Sequence, residues 1–241
     1  MNIKGDRSDI KEINWDKTWT RVRQNLPLKI DHNKYHQYWH MHQILKRLIK
    51  RGSSVLECGC ATAQFLIYFA TEYDCEVWGI DNSAIGLDIA NENFQMQGIE
   101  EYKLIQGDVN CFPICDNSFD VVFSSGLLEH FSEPKKAVKE MARILKPGGL
   151  LIIRIPNFHV GTLRWWDDML FKRGVAETHF KLDLKDVNSW LLAQNFNIIS
   201  SEYTGLRVRH GRIPRAKWTL NFINRYTAHS IMSVGMKREE V

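Results

Sequence analysis

The feature that most constrains this chain is an alternation of short β-rich runs with helical patterns between residues 53 and 156. Strands that alternate with helices predict a parallel sheet with helices packed on its faces, because parallel strands need crossover connections. The β-rich runs predict strands at residues 55–57, 76–80, 102–105, 120–123 and 150–155. After Lys146, the run Pro147-Gly148-Gly149 is expected to end a helix and lead into the fifth strand.

The regions on either side are expected to extend the same fold. Residues 196–199 and 230–234 are further β-rich runs that would complete a doubly wound, mostly parallel α/β sheet of seven strands. Residues 184–195 predict a helix between strands five and six. We predict an N-terminal helical cap over residues 1–52 and a main domain over residues 53–241, with an insert at about 157–180 after strand 5.

The predicted cap contains an amphipathic helix over residues 33–50, ending at Gly52. Aromatic and aliphatic side chains recur there at helical spacing and should face the domain. The expected apolar face contains Tyr35, Tyr38, Trp39, Ile44, Leu45, Leu48 and Ile49.

Composition excludes several classes of protein. With 241 residues, 44% hydrophobic and 25% charged, the chain can bury the core of a globular α/β domain. No stretch is apolar for long enough to cross a bilayer and the first residues do not resemble an export signal, so we expect a cytoplasmic protein. The five cysteines form no CxxC pair, which argues against disulfides and structural zinc. A net charge of +4 is compatible with an anionic small molecule and does not require nucleic acid.

The loops after the first two strands are the first place to look for a ligand, because open parallel sheets bind ligands beyond the carboxyl ends of their strands. Glu57 is followed by the small residues Gly59, Cys60 and Ala61, which would let the backbone approach a ligand closely. About 20 residues later stands Asp81, followed by Asn82. A carboxylate at this point in such folds accepts hydrogen bonds from ribose hydroxyls.

The next two loops continue the pattern. After the third strand, Asp108 can accept a hydrogen bond from an adenine amino group, and Val109 offers an apolar contact to the ring. After the fourth strand, Ser124 and the following backbone offer polar groups to a charged amino-acid tail, with His130 close by.

Residues 53–157 together resemble the class I S-adenosylmethionine-dependent methyltransferases, in particular the branch whose small-molecule members include ubiquinone and menaquinone biosynthesis enzymes. The resemblance rests on residues 55–63, 79–83 and 107–109, on residues 116–122 leading to 128–131, and on residues 143–149. Each motif is common, but the ordered set is specific. The resemblance implies S-adenosyl-L-methionine as cofactor and S-adenosyl-L-homocysteine as product. It also implies that Glu57 orients the cofactor through its loop.

The sequence departs from this family at Ala61 and Ala63, where glycine is usual. Alanine is tolerated where φ is negative but costs stability where φ is positive, so cofactor affinity could be reduced. For Asp81, a role as the N-cap of the next helix stays open beside ribose binding. Glu57 could instead be a solvated strand end.

Histidines are the candidates for acid–base chemistry. His130 is either a general base, a substrate contact or a packing residue, and His179, after the insert, is a second candidate base. His32, His36 and His40 recur every four residues and would share one helix face. No cysteine or carboxylate cluster accompanies them in the sequence, so we predict a polar face and no metal site.

The insert, with Trp165 and Trp166, is a candidate substrate lid or else core packing. Its aromatic residues suggest a planar or apolar acceptor. Arginines near and beyond it suggest an anionic portion; these are Arg164, Arg207, Arg209, Arg212 and Arg215.

The sequence therefore predicts methyl transfer to an oxygen, nitrogen or carbon nucleophile of a small molecule. One alternative is RNA or protein methylation, for which the basic run at residues 207–215 would be the contact surface, although the chain lacks an Asn-Pro-Pro-Tyr type signature. The other is a cofactor-binding regulatory protein without catalytic activity, suggested by Ala61 and Ala63.

Overall fold

The computed structural model describes residues 15–33, 36–157, 180, 182–204, 228 and 230–239, without the side chains of residues 36 and 37. The candidate lid, His179 and the basic run at 207–215 lie outside these residues. The described elements in chain order are α1 (Trp15–Val22), α2 (His36–Leu45), β1 (Ser54–Cys58), α3 (Gln64–Tyr73), β2 (Glu76–Asp81), α4 (Ala84–Met96), β3 (Tyr102–Gln106), β4 (Phe119–Ser125), α5 (Pro134–Ile144), β5 (Leu145–Pro156), α6 (Leu184–Ala193), β6 (Phe196–Thr204) and β7 (Ser230–Lys237).

The seven strands form one sheet in the order β3-β2-β1-β4-β5-β7-β6, which confirms the predicted fold class. Strands β1 to β5 pair in parallel, whereas β7 is inserted antiparallel between β5 and β6. The order reverses at β1, with β2 and β3 on one side and β4 on the other. At such a switch point the loops after neighbouring strands diverge and leave a crevice.

Two hydrophobic cores cover the faces of this sheet. One packs α2, α3 and α4 against side chains such as Val55 and Phe123, and the other packs α5 and α6 against Leu56 and Val122. Neighbouring residues of one strand thus contribute to opposite cores, as the two-residue period of a strand requires. Among the described helices, none has the length and apolar character needed to cross a bilayer.

The helix predicted over residues 33–50 is shorter than expected. Regular helix ends at Leu45, after which the Arg47 and Leu48 amides donate to carbonyls only three residues back, so the last turn tightens. Trp39 does not join the apolar face and is 46% exposed. It lies two residues from buried Met41, which is about 200° around a helix of 3.6 residues per turn.

The turn at Pro147-Gly148-Gly149 also differs from its prediction. Helix α5 already ends at Ile144, and these residues belong to β5, which begins at Leu145. The ladder between β4 and β5 shifts register between Phe119 and Val121, opposite this irregular start, where Gly148 has a φ of 74°. A glycine at positive φ therefore bends the beginning of the strand and does not end the helix.

Candidate functional site

A cavity of about 680 Å³ opens beyond the carboxyl ends of the central strands. This volume is within the range of small-molecule sites, about 300–1,000 Å³. Eight of the nine residues predicted to bind the cofactor line it, together with His130. These are Glu57, Gly59, Cys60, Ala61, Asp81, Asn82, Asp108 and Val109. The predicted loops thus converge on one space.

The loop after β1 has an unusual backbone. Gly59, Ala61 and Ala63 all have positive φ, at 71°, 40° and 56°. A Cβ added to Gly59 would lie 2.8 Å from Leu127 Cδ1, so the leucine side chain would have to shift, and the positive φ would add strain. For the two alanines the left-handed conformation is the costly case foreseen from the sequence, at about 1–2 kcal/mol each.

Asp81, at the end of β2, holds this loop in place. Its Oδ2 accepts a hydrogen bond from the Ala61 amide at 2.9 Å, and its Oδ1 accepts one from the Ser83 amide at 2.9 Å. Burial raises the pKa of Asp81, while these amide hydrogen bonds act in the opposite direction. Asp81 lines the cavity, so its carboxylate can also accept a hydrogen bond from a ligand there. The cap of α4 is Ser83, whose Oγ accepts from the Gly86 amide, so Asp81 is not itself the N-cap.

Glu57 lies beside Asp81 and is only 2% exposed. The Leu66 amide, in the first turn of α3, donates to its carboxylate. Among the described residues, its Oε2 is buried without a hydrogen-bond partner. Burial raises the pKa of Glu57 well above its usual range, and the Asp81 charge raises it further. The alternative left open for Glu57, a solvated strand end, is therefore wrong.

The loop after β3 presents Asp108 and Val109 to the cavity. Asp108 Oδ1 accepts hydrogen bonds from the backbone and side-chain amides of Asn110, both at 2.9 Å. This turn fixes the carboxylate at the cavity wall. Val109 is buried beside it and provides an apolar surface.

Ser124 is the predicted binding residue that does not line the cavity. It is buried within β4, whereas its neighbour Ser125 lines the cavity. Successive side chains of a strand point to opposite faces, so an error of one residue changes the side completely. Ser125 Oγ accepts a hydrogen bond from Arg154 Nη1 at 3.1 Å.

Arg154, at the end of β5, is a cation held among aromatic rings. Its guanidinium carbon lies 5.7 Å from the ring centre of Phe65 and 6.0 Å from that of Tyr38. Burial lowers the pKa of Arg154, and Tyr38 and Glu129 oppose this effect. Among the described residues, no carboxylate forms an ion pair with it within 4 Å, and its Nε is buried without a partner. A cation in this setting attracts an anion.

His130 lies at an aromatic wall of the cavity. Its ring meets Trp15 edge to face at 4.9 Å, and Trp15 stacks on Trp19 at 5.6 Å. Both tryptophans come from α1 and line the cavity. Phe180, after the insert, donates its amide to the Glu129 carbonyl at 2.7 Å and also lines the cavity.

Asn93 was not predicted as a site residue, although it connects three parts of the site. It is fully buried in α4. Its Nδ2 donates to the carbonyls of Leu28 and Thr62, at 2.8 and 2.7 Å, and its Oδ1 accepts from the Leu28 amide. The signal in the sequence was a polar residue between Ala90 and Phe94, on the apolar face of a helix.

The N-terminal segment contacts the site at a second point. Ser83 Oγ donates to Asp16 Oδ1 of α1 at 2.8 Å. Trp19 lies over Gly86, where an added Cβ would come within 3.3 Å of its ring. Among the described residues, the buried Trp19 Nε1 has no hydrogen-bond partner.

The prediction that His32, His36 and His40 share one helix face is wrong. His32 precedes α2, and His40 forms a hydrogen bond with Glu202 of β6 at 3.0 Å. His32 instead stacks on His42, with ring centres 3.9 Å apart. The side chain of His36 lies outside the described part of the chain.

The central region of the chain is similar to known proteins. Residues 56–153 match the sequence model of a family described as a methyltransferase domain. The demethylmenaquinone methyltransferase of Staphylococcus epidermidis is 30% identical over 139 residues, which cover 54% of this chain and 57% of that protein. The chain therefore matches little more than half the length of this curated relative.

Solved structures share the architecture. A chain in the complex of the Haloferax volcanii Trm112 methyltransferase activator is 16% identical, with a TM-score of 0.70, and the match covers 95% of this chain and 100% of that one. Phosphoethanolamine N-methyltransferase 2 of Haemonchus contortus, solved with S-adenosyl-L-methionine, is 22% identical, with a TM-score of 0.63. That match covers 83% of this chain and 53% of the other. At these identities the structures establish the fold.

Proposed function

We propose that the chain transfers a methyl group from S-adenosylmethionine to a nucleophile of a small-molecule acceptor, since residues 56–153 match a family described as a methyltransferase domain. The observation that carries the proposal is the convergence of Glu57, Asp81 and Asp108 on one cavity. Three carboxylates from three successive strand ends match three parts of the cofactor. The cytoplasmic location stays a prediction.

The residues at the wall fit such a cofactor. We assign the ribose hydroxyls to the Asp81 carboxylate, and the adenine amino group to Asp108 with Val109 against the ring. The unpartnered Oε2 of Glu57 suits a donor on the amino-acid tail, and Ser125 takes the place predicted for Ser124.

The bound cofactor supplies a methyl group that is already activated by its positively charged sulfur. The protein therefore has to align the acceptor and exclude water, and alignment alone can contribute about 7–11 kcal/mol. Trp15 and Trp19 of α1 line the cavity, as does Phe180. We propose that residues 1–52 act as a cap in this way.

A general base is needed only where the acceptor holds its proton tightly. His130 lies at the cavity wall and can accept that proton, while its edge-to-face contact with Trp15 fixes the ring plane. A role in acceptor contact is the alternative. His179 stays a prediction.

For the acceptor, we propose a planar or apolar molecule with an anionic group. The cavity wall includes Trp15, Phe131 and Phe180, which suit a flat apolar body. Ser125 lines the cavity and accepts a hydrogen bond from Arg154, which has no ion pair within 4 Å among the described residues, so this buried cation favours an anionic group beside Ser125. The relative named for demethylmenaquinone also supports a ring-containing acceptor.

Calorimetric titration with S-adenosylmethionine tests the first half of this proposal. We expect one binding site, occupied competitively by S-adenosylhomocysteine. Release of S-adenosylhomocysteine with a panel of aromatic acids, and its loss in Arg154→Gln, would test the second half. Absence of measurable binding, with Asp81→Ala behaving like the parent, would refute the function.

Two other outcomes have distinct signatures. Binding without turnover on any acceptor would favour the regulatory protein, which the positive φ values of Ala61 and Ala63 support. RNA binding that weakens steeply with salt would favour the RNA methyltransferase.

A further inference from the structure

A cluster of ligand-type side chains lies away from the cavity. It consists of His32 before α2, His42 in α2, and Glu72 near the end of α3. One ligand atom from each lies within 4.8 Å of the others. None of the three lines the cavity. We propose that this cluster binds a divalent transition-metal ion such as zinc. The histidine spacing in the sequence had instead predicted no metal site.

The separation between His32 and Glu72 supports a bridging ion. His32 Nδ1 and Glu72 Oε1 face each other at 3.9 Å, which is too long for a direct hydrogen bond. In a tetrahedral zinc site with bonds of about 2.0–2.1 Å, two ligand atoms lie roughly 3.4 Å apart. The two atoms therefore need to approach by only about 0.5 Å.

His42 is already oriented as a metal ligand would be. Its Nδ1 forms a hydrogen bond of 2.8 Å with the Tyr68 hydroxyl, which in turn lies 3.0 Å from the Tyr73 hydroxyl. Ligating histidines usually have such a partner on the second ring nitrogen, because it fixes the tautomer and the ring plane. Nε2 of His42 is then the atom that faces an ion.

The imidazole ring of His32 must turn when the ion binds, while His42 keeps its hydrogen bond to Tyr68. The two rings are stacked within 4° of parallel, so their in-plane lone pairs do not yet point to a common centre. Glu72 has a side chain that is 36% exposed, and His32 joins from a turn, so both have room to move. Solvent can reach the fourth position.

The donor set decides the class of ion. Two imidazoles and one carboxylate suit zinc, cobalt or nickel, whereas magnesium and calcium prefer sites made only of oxygen. The ion would connect the turn at residues 31–33 to α3. Because the same segment carries Trp15, Trp19 and Leu28 to the cavity, the metal would stabilise its docking on the domain.

The test is titration of zinc into tag-free protein that carries Cys111→Ser and Cys115→Ser, since these two cysteines are exposed and thiols also bind zinc. We expect one equivalent to bind and the Tm to rise by roughly 5–10 °C at 100 times the Kd. Cobalt should give the visible absorption of a four-coordinate site, and magnesium should give no Tm shift.

Glu72→Gln and His32→Asn should each weaken zinc binding by at least about tenfold, as loss of one ligand requires. His40→Asn is the matched control, because His40 lies on α2 but bonds to Glu202. The Tm of each variant without metal shows whether it folds. The proposal is overturned if no equivalent of zinc binds, or if Glu72→Gln and His32→Asn bind it like the His40→Asn control.

Discussion

Two buried carboxylates lie at strand ends in the centre of the sheet, Glu57 of β1 and Asp81 of β2. They differ in how many hydrogen-bond partners the protein provides for them. Both are buried, and burial raises the pKa of both. Asp81 has a backbone amide on each oxygen. Glu57 retains one oxygen without a partner among the described residues. Both carboxylate oxygens of Asp81 therefore have protein partners without a ligand, whereas one oxygen of Glu57 does not.

The backbones of the two loops also differ, because the loop after β1 is strained and the loop after β2 is not. The loop after β2 runs into a helix with a conventional serine cap at Ser83. The loop after β1 has Ala61 and Ala63 in the left-handed region, and α3 starts without a side-chain cap. Because Asp81 bonds to the Ala61 amide, the relaxed loop holds the strained one in place. Strain and an unmet hydrogen bond thus concentrate where the ligand is expected to bind.

The largest expected effect comes from removing Asp81. Asp81→Ala takes away both the predicted ribose contacts and the support of Ala61. S-adenosylmethionine affinity should fall by roughly 100-fold or more, about 3 kcal/mol, as measured by calorimetry. Asp88→Ala, on the exposed side of α4, is the control and should bind like the parent. Equal affinities would show that the loop after β1 does not depend on β2.

Asn93→Ala should have the next largest effect. It removes three hydrogen bonds and leaves the buried Thr62 carbonyl and the partly buried backbone groups of Leu28 without this partner. We expect the free energy of unfolding to fall by about 2–3 kcal/mol in urea titrations. Gln95→Ala, exposed on the same helix, should change it little. A loss no larger than that of the control would mean that the strained loop needs no support from α4.

Glu57→Gln should change stability and binding in opposite directions. The folded pKa of Glu57 lies above its unfolded value of about 4.3, so its contribution to stability is fully present below that pH and is lost as pH rises through the folded pKa. The variant lacks this loss and should be more stable than the parent at neutral pH. Its cofactor affinity should fall by about tenfold.

Unfolding measured at pH 5 and pH 8 tests the predicted gain in stability, and calorimetry tests the predicted loss of cofactor affinity. The stability difference between variant and parent should grow with pH. A variant that is less stable than the parent at pH 8 would show that the Glu57 charge already has adequate partners.

The smallest effects are expected at the two alanines. Ala61→Gly and Ala63→Gly remove the left-handed strain and should each raise stability by about 1 kcal/mol, a Tm rise of roughly 2–4 °C. Ala70→Gly, inside α3, is the opposite control and should lower stability by a similar amount. Lower Tm values for both loop variants would mean that the positive φ values carry no strain.

Local sequence patterns were enough to predict the site residues that lie at or just after the ends of strands. Asp81, Asp108 and Glu57 each follow or end a β-rich run, and parallel topology brings such residues together. The one-residue error at Ser124 arose because a strand end can be predicted only to within a residue or two, while the side chain changes face at every step.

Long-range contacts could not be predicted in this way. Asn93 joins residues 65 and 31 positions away, and the pairing of His32 with His42 depends on where the helix begins. The positive φ of Ala61, against the preference of alanine itself, likewise goes with a hydrogen bond to a distant residue, since its amide donates to Asp81. These features need the three-dimensional structure.

The insertion of β7 between β5 and β6 has a consequence for how the sheet can assemble. Among the described strands, β6 pairs only with β7, although β6 comes earlier in the chain. Until residues 230–237 have left the ribosome, β5 and β6 both present open edges, which are sites for misassembly with other chains. The half of the sheet from β1 to β4 has no such dependence, so it can condense first and act as a template for the other half.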